Sequence, residues 1–270
     1  MNKARSAAFP YILWSVLFTV LPLLLVAYFA FTNGSGTFTL DNFANLGEYT
    51  AVFVRSLLLA LISTLLCFMI GYPLAYILSR ESARRQQIMI MLVMLPMWMN
   101  FLLRTYAWLT ILENNGLINR LLEFLGFAPL HMINTQGAVV LGMVYNYLPY
   151  MILPIYTVLI KLDYRLIEAA HDLGANPAKT FFRVVVPLSM PGVSSGITMV
   201  FMPAVSTFII SKMLGGGSSL MVGDLIEMQF LGNAYDPNLG AAISLVMMVI
   251  ILISMLLMGF FDSEDKAVIM

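Results

Sequence analysis

The sequence has little of what aqueous proteins and most enzymes rely on. Only 10% of its 270 residues are charged, against about 25% in ordinary soluble domains, which argues against a soluble globule. Cys67 is the one cysteine and lies within an apolar run, so an intrachain disulfide and a thiolate metal cage are both excluded. His131 and His171 are the only histidines, and neither a His-Glu-x-x-His pair nor a Gly-x-Ser-x-Gly elbow occurs. No catalytic constellation, metal site or cofactor is therefore expected. The phosphate-cradling pattern Gly-x-x-x-x-Gly-Lys-[Ser/Thr] is missing as well, so ATP chemistry belongs to another polypeptide if it is involved at all. Fourteen Lys and Arg balance fourteen Asp and Glu. That leaves neither a basic surface for nucleic acid nor an acidic tail.

What the chain has in abundance is apolar sequence, 60% of it. Six runs, at about 10–32, 55–79, 88–112, 136–160, 188–213 and 240–261, are each long enough to cross about 30 Å of hydrocarbon. The expected fold is an all-α membrane protein of six transmembrane helices, a single domain over 1–270. The first run exceeds the 7–15-residue apolar core of a signal peptide and lacks a clear small-x-small cleavage site, so it reads as a retained anchor.

Within the runs, polar and small residues carry the information. Ser63, Cys67 and Gly71 recur every four residues, a spacing that lets another helix approach closely. Gly192 and Gly196 form a Gly-x-x-x-Gly pair with the same implication, and Pro203 is placed to kink the fifth helix. Arg104 is the one charge well inside a span, facing either the bundle or, by snorkelling, the nearer interface. In the fourth run, Tyr145, Asn146, Tyr147, Pro149, Tyr150 and Pro154 suggest a proline-broken helix lining a pathway; an aromatic interface belt accounts for the tyrosines equally.

Six spans put both termini on one side, and the basic residues choose which. Lys3, Arg5, Arg80, Arg84, Arg85, Lys161, Arg165, Lys179, Arg183 and Lys266 fall on the terminal side; only Arg55, Arg104, Arg120 and Lys212 lie on or near the other. The bias of ten against four places both termini in the cytoplasm. The loops 33–54, 113–135 and 214–239 are then external.

The main polar interruption, 161–187, is cytoplasmic on the same count. Asp163 is placed to cap a short helix that Gly174 ends. Leu166, Ala169, Ala170 and Leu173 share one side of it, and Arg165, Glu168, His171 and Asp172 lie towards the other. So short a helix needs a surface to lie on. Asn176 followed by Pro177 restarts a helix towards Pro187. A capped connector between two membrane helices needs no more than this.

Glu168-Ala169-Ala170, three residues, Gly174, nine residues, then Val184-Val185-Val186-Pro187 resembles the signature loop of ATP-binding-cassette importer permeases. Val184 and Val186 depart from that family's usual isoleucine and leucine while keeping the apolar character. The Gly-rich stretch before Leu220-Met221-Val222-Gly223-Asp224-Leu225-Ile226 and the later Leu239-Gly240-Ala241-Ala242 resemble the spermidine/putrescine branch. The resemblance implies a type I importer permease fold in a bacterial inner membrane, with 161–187 as the coupling loop. Glu168, Ala169, Ala170 and Gly174 would couple it to an ATPase. The implied partners are a second homologous permease, two ATP-binding subunits and an external polyamine-binding protein. Other organic cations, amino-acid derivatives or phosphonates are alternative cargoes, and a self-sufficient secondary transporter is the rival from another class.

A cargo path is expected from two further features. Asp224 and Glu227, three residues apart, form an acidic pair on one potential helix face in an external loop, and two carboxylates there would attract a linear polyamine. Trp108, Tyr145 and Tyr235 are candidates to hold its ammonium groups by cation–π contact. A solvated acidic loop is the plainer alternative.

Overall fold

Proline and asparagine set the boundaries of the helices, and small residues set their packing. The computed structural model describes residues 10–232 and 234–268, with side chains described for all of these but 164 and 258–268. Lys3 and Arg5, two of the basic residues counted above, lie outside them, as do the side chains of Phe261 and Lys266. The described residues are helical apart from their connections and one isolated bridge between Thr32 and Phe38.

Eleven helices over the described residues are used below. They are α1 (Pro10–Ala30), α2 (Thr50–Arg80), α3 (Ala83–Trp98), α4 (Phe101–Leu112) and α5 (Leu117–Phe124). There follow α6 (Gln136–Leu159), α7 (Tyr164–Asp172), α8 (Pro177–Ser206), α9 (Ile209–Gly215), α10 (Val222–Leu231) and α11 (Pro237–Val268). Five are long and apolar enough to cross a membrane: α1, α2 with its lead-in from Asp41, α6, α8 and α11. The sixth candidate is the bent pair of α3 with the stretch Phe101–Phe124.

That bend corrects the expectation of one straight helix over 88–112. The chain turns by 89° between Trp98 and Phe101, for two local reasons. Pro96 lacks the amide that would continue the hydrogen-bond ladder, and Met99 is extended (φ −76°, ψ 147°). Asn100 then caps the next helix, its Oδ1 accepting from the Leu102 amide at 2.8 Å, as asparagine does at helix starts. The run over 188–213 is likewise two helices. Thr207 is extended (ψ 143°) between α8 and α9. Gly223 packs so closely there that a Cβ would lie 2.6 Å from the Ser206 and Thr207 carbonyl oxygens.

The fourth run differs in the opposite sense. Pro149 and Pro154 lie within α6, which nonetheless runs unbroken to Leu159. Pro149 is buried and α6 packs between α2 and α8, and proline is tolerated within a membrane helix that its neighbours support in this way. In α8, a π-helical stretch over Phe181–Val185 absorbs the amide missing at Pro187.

The core is the packing of α2, α6 and α8. Ser63 and Cys67 are fully buried; Ser63 Oγ donates to Met143 Sδ at 3.2 Å and Cys67 Sγ to the Val144 carbonyl at 3.8 Å. A Cβ on Gly71 would meet Met151 Cγ at 3.0 Å. Across α6, one on Gly192 would lie 2.9 Å from the Pro154 carbonyl oxygen, and one on Gly196 2.8 Å from Met151 Sδ. Small residues thus bring both neighbours onto α6, where dispersion between close backbones does what water exclusion cannot do in lipid.

Candidate functional site

α8 leads from α7 at one end of the bundle to α9 and α10 at the other, and each end carries one group of candidate residues. At the first, Asp163 Oδ1 accepts from the Arg165 amide at 3.0 Å and starts α7. Gly174 stops it in a left-handed conformation, φ +81°, which costs a residue with a Cβ more than it costs glycine. Asn176 Oδ1 accepts from the Lys179 amide at 2.8 Å and opens α8 beside Pro177. The cap, glycine elbow and restart are therefore all built.

The seating of α7 differs from the expected one. Leu166, Ala169, Ala170 and Leu173 do not form the face laid on the protein. Leu166 is 47% and Leu173 89% exposed, and Ala169 is exposed, with only Ala170 half-buried. The anchor is Ile167, 6% exposed, at a recess lined by Leu159, Leu162 and Val185. Geometry explains the shift: Ile167 and Ala170 are three residues apart and face inward together, which turns Leu166 and Leu173 outward. Glu168, His171, Asp172 and Gly174 are exposed as well, and Phe182, at the start of α8, is 68% exposed. Sequence reasoning missed Ile167 because neither its type nor its spacing sets it apart from Leu166.

At the other end, α10 is clamped at its first turn. Asp224 Oδ2 accepts from the Met221 amide at 2.8 Å, and Ser56 Oγ of α2 accepts from the Val222 amide at 2.8 Å. Asp224 is 5% exposed. Burial pushes its carboxyl above the ordinary range, opposed chiefly by the Met221 amide. Glu227 is occupied too: both of its oxygens accept from Lys212 Nζ, at 2.9 and 3.0 Å. The expectation of two open carboxylates is thus corrected, because one caps a helix from inside and the other is ion-paired. They do line one cavity of about 170 Å³, together with Ser211, Lys212 and Met228. Lys212 is a member that no local sequence pattern reveals, being fifteen residues from Glu227.

The aromatic candidates divide. Trp108 and Tyr145 meet edge to face with ring centroids 5.4 Å apart. Tyr235 is 70% exposed and makes no ring contact with them among the described residues. Arg104 does not snorkel: it is 8% exposed, an electrostatic neighbour of the Tyr147 hydroxyl, with its carbon centre 6.0 Å from the Phe101 ring centroid. Its Nε and Nη1 are buried without a hydrogen-bond partner.

With this geometry in place, comparison with known proteins is informative. Residues 68–264 match the family described as binding-protein-dependent transport system inner membrane component. The spermidine/putrescine transport system permease protein PotB of Haemophilus influenzae is 39% identical over 242 residues, 86% of this chain and 84% of that protein. PotB of Escherichia coli K12 is 38% identical over 247 residues, 88% and 90% of the two chains. Among solved structures, a bacterial ABC transporter involved in the import of the acidic polysaccharide alginate superposes with a TM-score of 0.83 at 16% identity, over 97% of this chain and 95% of that one. The MetNI methionine ABC transporter gives 0.54 at 18% identity, over 81% and 94%.

Proposed function

The chain belongs to the binding-protein-dependent transport system inner membrane components, and on that footing we propose that it forms half of the pore of an ATP-driven polyamine importer. It is a multi-pass inner-membrane permease subunit with the ABC importer permease fold, and not an enzyme; ATP hydrolysis belongs to a separate subunit. The observation that carries the cargo is 38–39% identity, over most of both chains, to permeases of spermidine/putrescine transport. The alignments to solved structures are too distant in sequence to bear on cargo.

In this reading the whole of 1–270 is one permease domain with both termini in the cytoplasm. Its partners are a second permease of PotC type, two ATPases of PotA type and an external binding protein of PotD type. The segment 161–187 is the coupling loop: Glu168, Ala169, Ala170 and the Gly174 elbow meet the ATPase. What supports this is the outward stripe of Leu166, Ala169 and Leu173 on a helix whose inward side carries Ile167 and the half-buried Ala170. An exposed apolar stripe on a capped helix fits a partner's groove, and α7 joins directly through Gly174 to the start of α8, so its displacement would reach the pore.

Trp108, Tyr145, Asp224, Glu227 and Tyr235 remain the candidates for the cargo path, with the two acids now placed at one cavity. Cells without polyamine uptake of their own, supplied with this chain and its partner subunits, are expected to accumulate labelled spermidine and putrescine. Uptake that is no lower when this chain is omitted would refute the assignment.

A further inference from the structure

The cavity between α9 and α10 already holds an alkylammonium. Lys212 carries a primary ammonium on a four-carbon stem and places it on both oxygens of Glu227, which is the group and geometry that the end of an alkyl diamine would present. A second carboxylate in the same cavity is unfilled: Asp224 Oδ1 is buried without a hydrogen-bond partner. The Ser211 hydroxyl, which lines the same cavity, donates its proton to the Phe208 carbonyl at 3.0 Å. A buried oxygen without a donor is unfavourable and is normally found satisfied. With both carboxylates ionised and Lys212 in place the cavity is one positive charge short of neutral.

The plainer role for Lys212, a staple between α9 and α10, is poorly supported by its setting. Its side chain is 60% exposed against 21% for Glu227, and exposed ion pairs of this kind hold weakly. The start of α10 is fixed without Lys212, capped by Asp224 from within and bonded to Ser56 of α2. Such a lysine is easily displaced, and what displaces it must itself be a cation of similar shape.

We propose that this cavity is an ammonium-binding station on the cargo path, and that Lys212 is a tethered stand-in for the cargo's own ammonium. On arrival, a primary alkylammonium takes Glu227 and offers a proton to Asp224 Oδ1, and Lys212 swings into solvent. The inference rests on the reading of the cargo as a polyamine.

The test uses the full importer complex, assembled without binding protein and without ATP, and equilibrium dialysis with labelled putrescine. Lys212→Met removes the competing charge at similar length. It is expected to bind putrescine about two- to fivefold more tightly, the factor that a half-exposed ion pair withholds. Lys212→Arg keeps the pair and should stay near the parental value, and adding Glu227→Gln to Lys212→Met should abolish the gain. If Lys212→Met fails to assemble, Lys212→Gln carries the same expectation. A parental complex that transports putrescine, with Lys212→Met and Lys212→Gln binding it no more tightly, overturns the proposal alone. A parental complex that moves no polyamine overturns the cargo reading and the proposal together.

Discussion

At the scale of single residues, two buried charges set the expectations. Arg104 keeps Nε and Nη1 out of water without a partner, an arrangement that costs on the order of 1–3 kcal/mol. Arg104→Met, of similar length and without charge, is therefore expected to raise the thermal midpoint of the detergent-solubilised chain. A lowered midpoint would mean that the guanidinium has a stabilising role within the chain. Asp224 gives a pH dependence. Its folded-state carboxyl is raised by burial, so the folded chain holds a proton that the unfolded chain has released. The stability this confers is complete below the ordinary carboxylate value of about 3.9 and is lost as pH rises through the raised one. The reactivity of a cysteine placed at Ser218, divided at each pH by that of the unfolded chain so that the thiol's own ionisation cancels, should accordingly increase with pH across that window and be flat in Asp224→Asn; equal slopes in both would remove Asp224 as the cause. Neither behaviour was legible in the sequence. Asp224 stands out there as half of an acidic pair and Arg104 as a charge within a span, but whether such a group is capped or orphaned depends on how the Met221 amide and Tyr147 are placed, which only the fold fixes.

At the scale of elements, glycine positions separate local from long-range constraint. Gly174 needs a left-handed backbone, φ +81°, with no atom within 4 Å of where a Cβ would sit. Gly174→Val therefore strains only the turn, by roughly 1 kcal/mol or more. Uptake should fall while assembly is retained, and Gly174→Asn, which tolerates that conformation, should keep most activity. Normal ATP-driven uptake in Gly174→Val would defeat the role given to the elbow. Gly192 and Gly196 differ from it and from each other. A Cβ at Gly192 meets the backbone of Pro154 and Ile155, at 2.9 and 3.0 Å, whereas one at Gly196 meets first the Met151 sulfur. Because thioethers move more easily than backbone, Gly192→Ala should lower the thermal midpoint more than Gly196→Ala, the larger loss corresponding to about 1–3 kcal/mol. The reverse order would contradict the packing described. The elements themselves were largely readable: Asp163, Gly174, Asn176 and Pro177 fix helix ends by local chemistry. The breaks at Trp98–Phe101 and Thr207 were not, because apolar runs of adequate length read alike whether straight or bent, and the signal lay in single residues such as Asn100. The unbroken α6 shows the converse, since proline's effect depends on what packs around it.

At the scale of the whole molecule, the proposal is a permease half-pore with its coupling loop and termini on the cytoplasmic side and the α9–α10 end outside. Single cysteines at Ser82 and Lys179 should then react with a membrane-impermeant reagent only after the cytoplasmic face is opened, and one at Ser218 in intact cells. Labelling of Ser82 or Lys179 from outside would invert the topology. Family membership was legible from the spacing of Glu168, Gly174 and Pro187, because that loop carries its own capping chemistry. The two acids were legible as a pair but not as a cavity, since Lys212 reaches Glu227 only once α9 and α10 are packed. The most direct measurement is uptake of labelled spermidine and putrescine into proteoliposomes that contain the assembled importer, with the ATPase side facing the lumen and binding protein outside. The account predicts accumulation that requires lumenal ATP and binding protein and disappears with Gly174→Val. Accumulation without ATP or ATPase subunits, or none of either polyamine by a fully assembled complex, would contradict it.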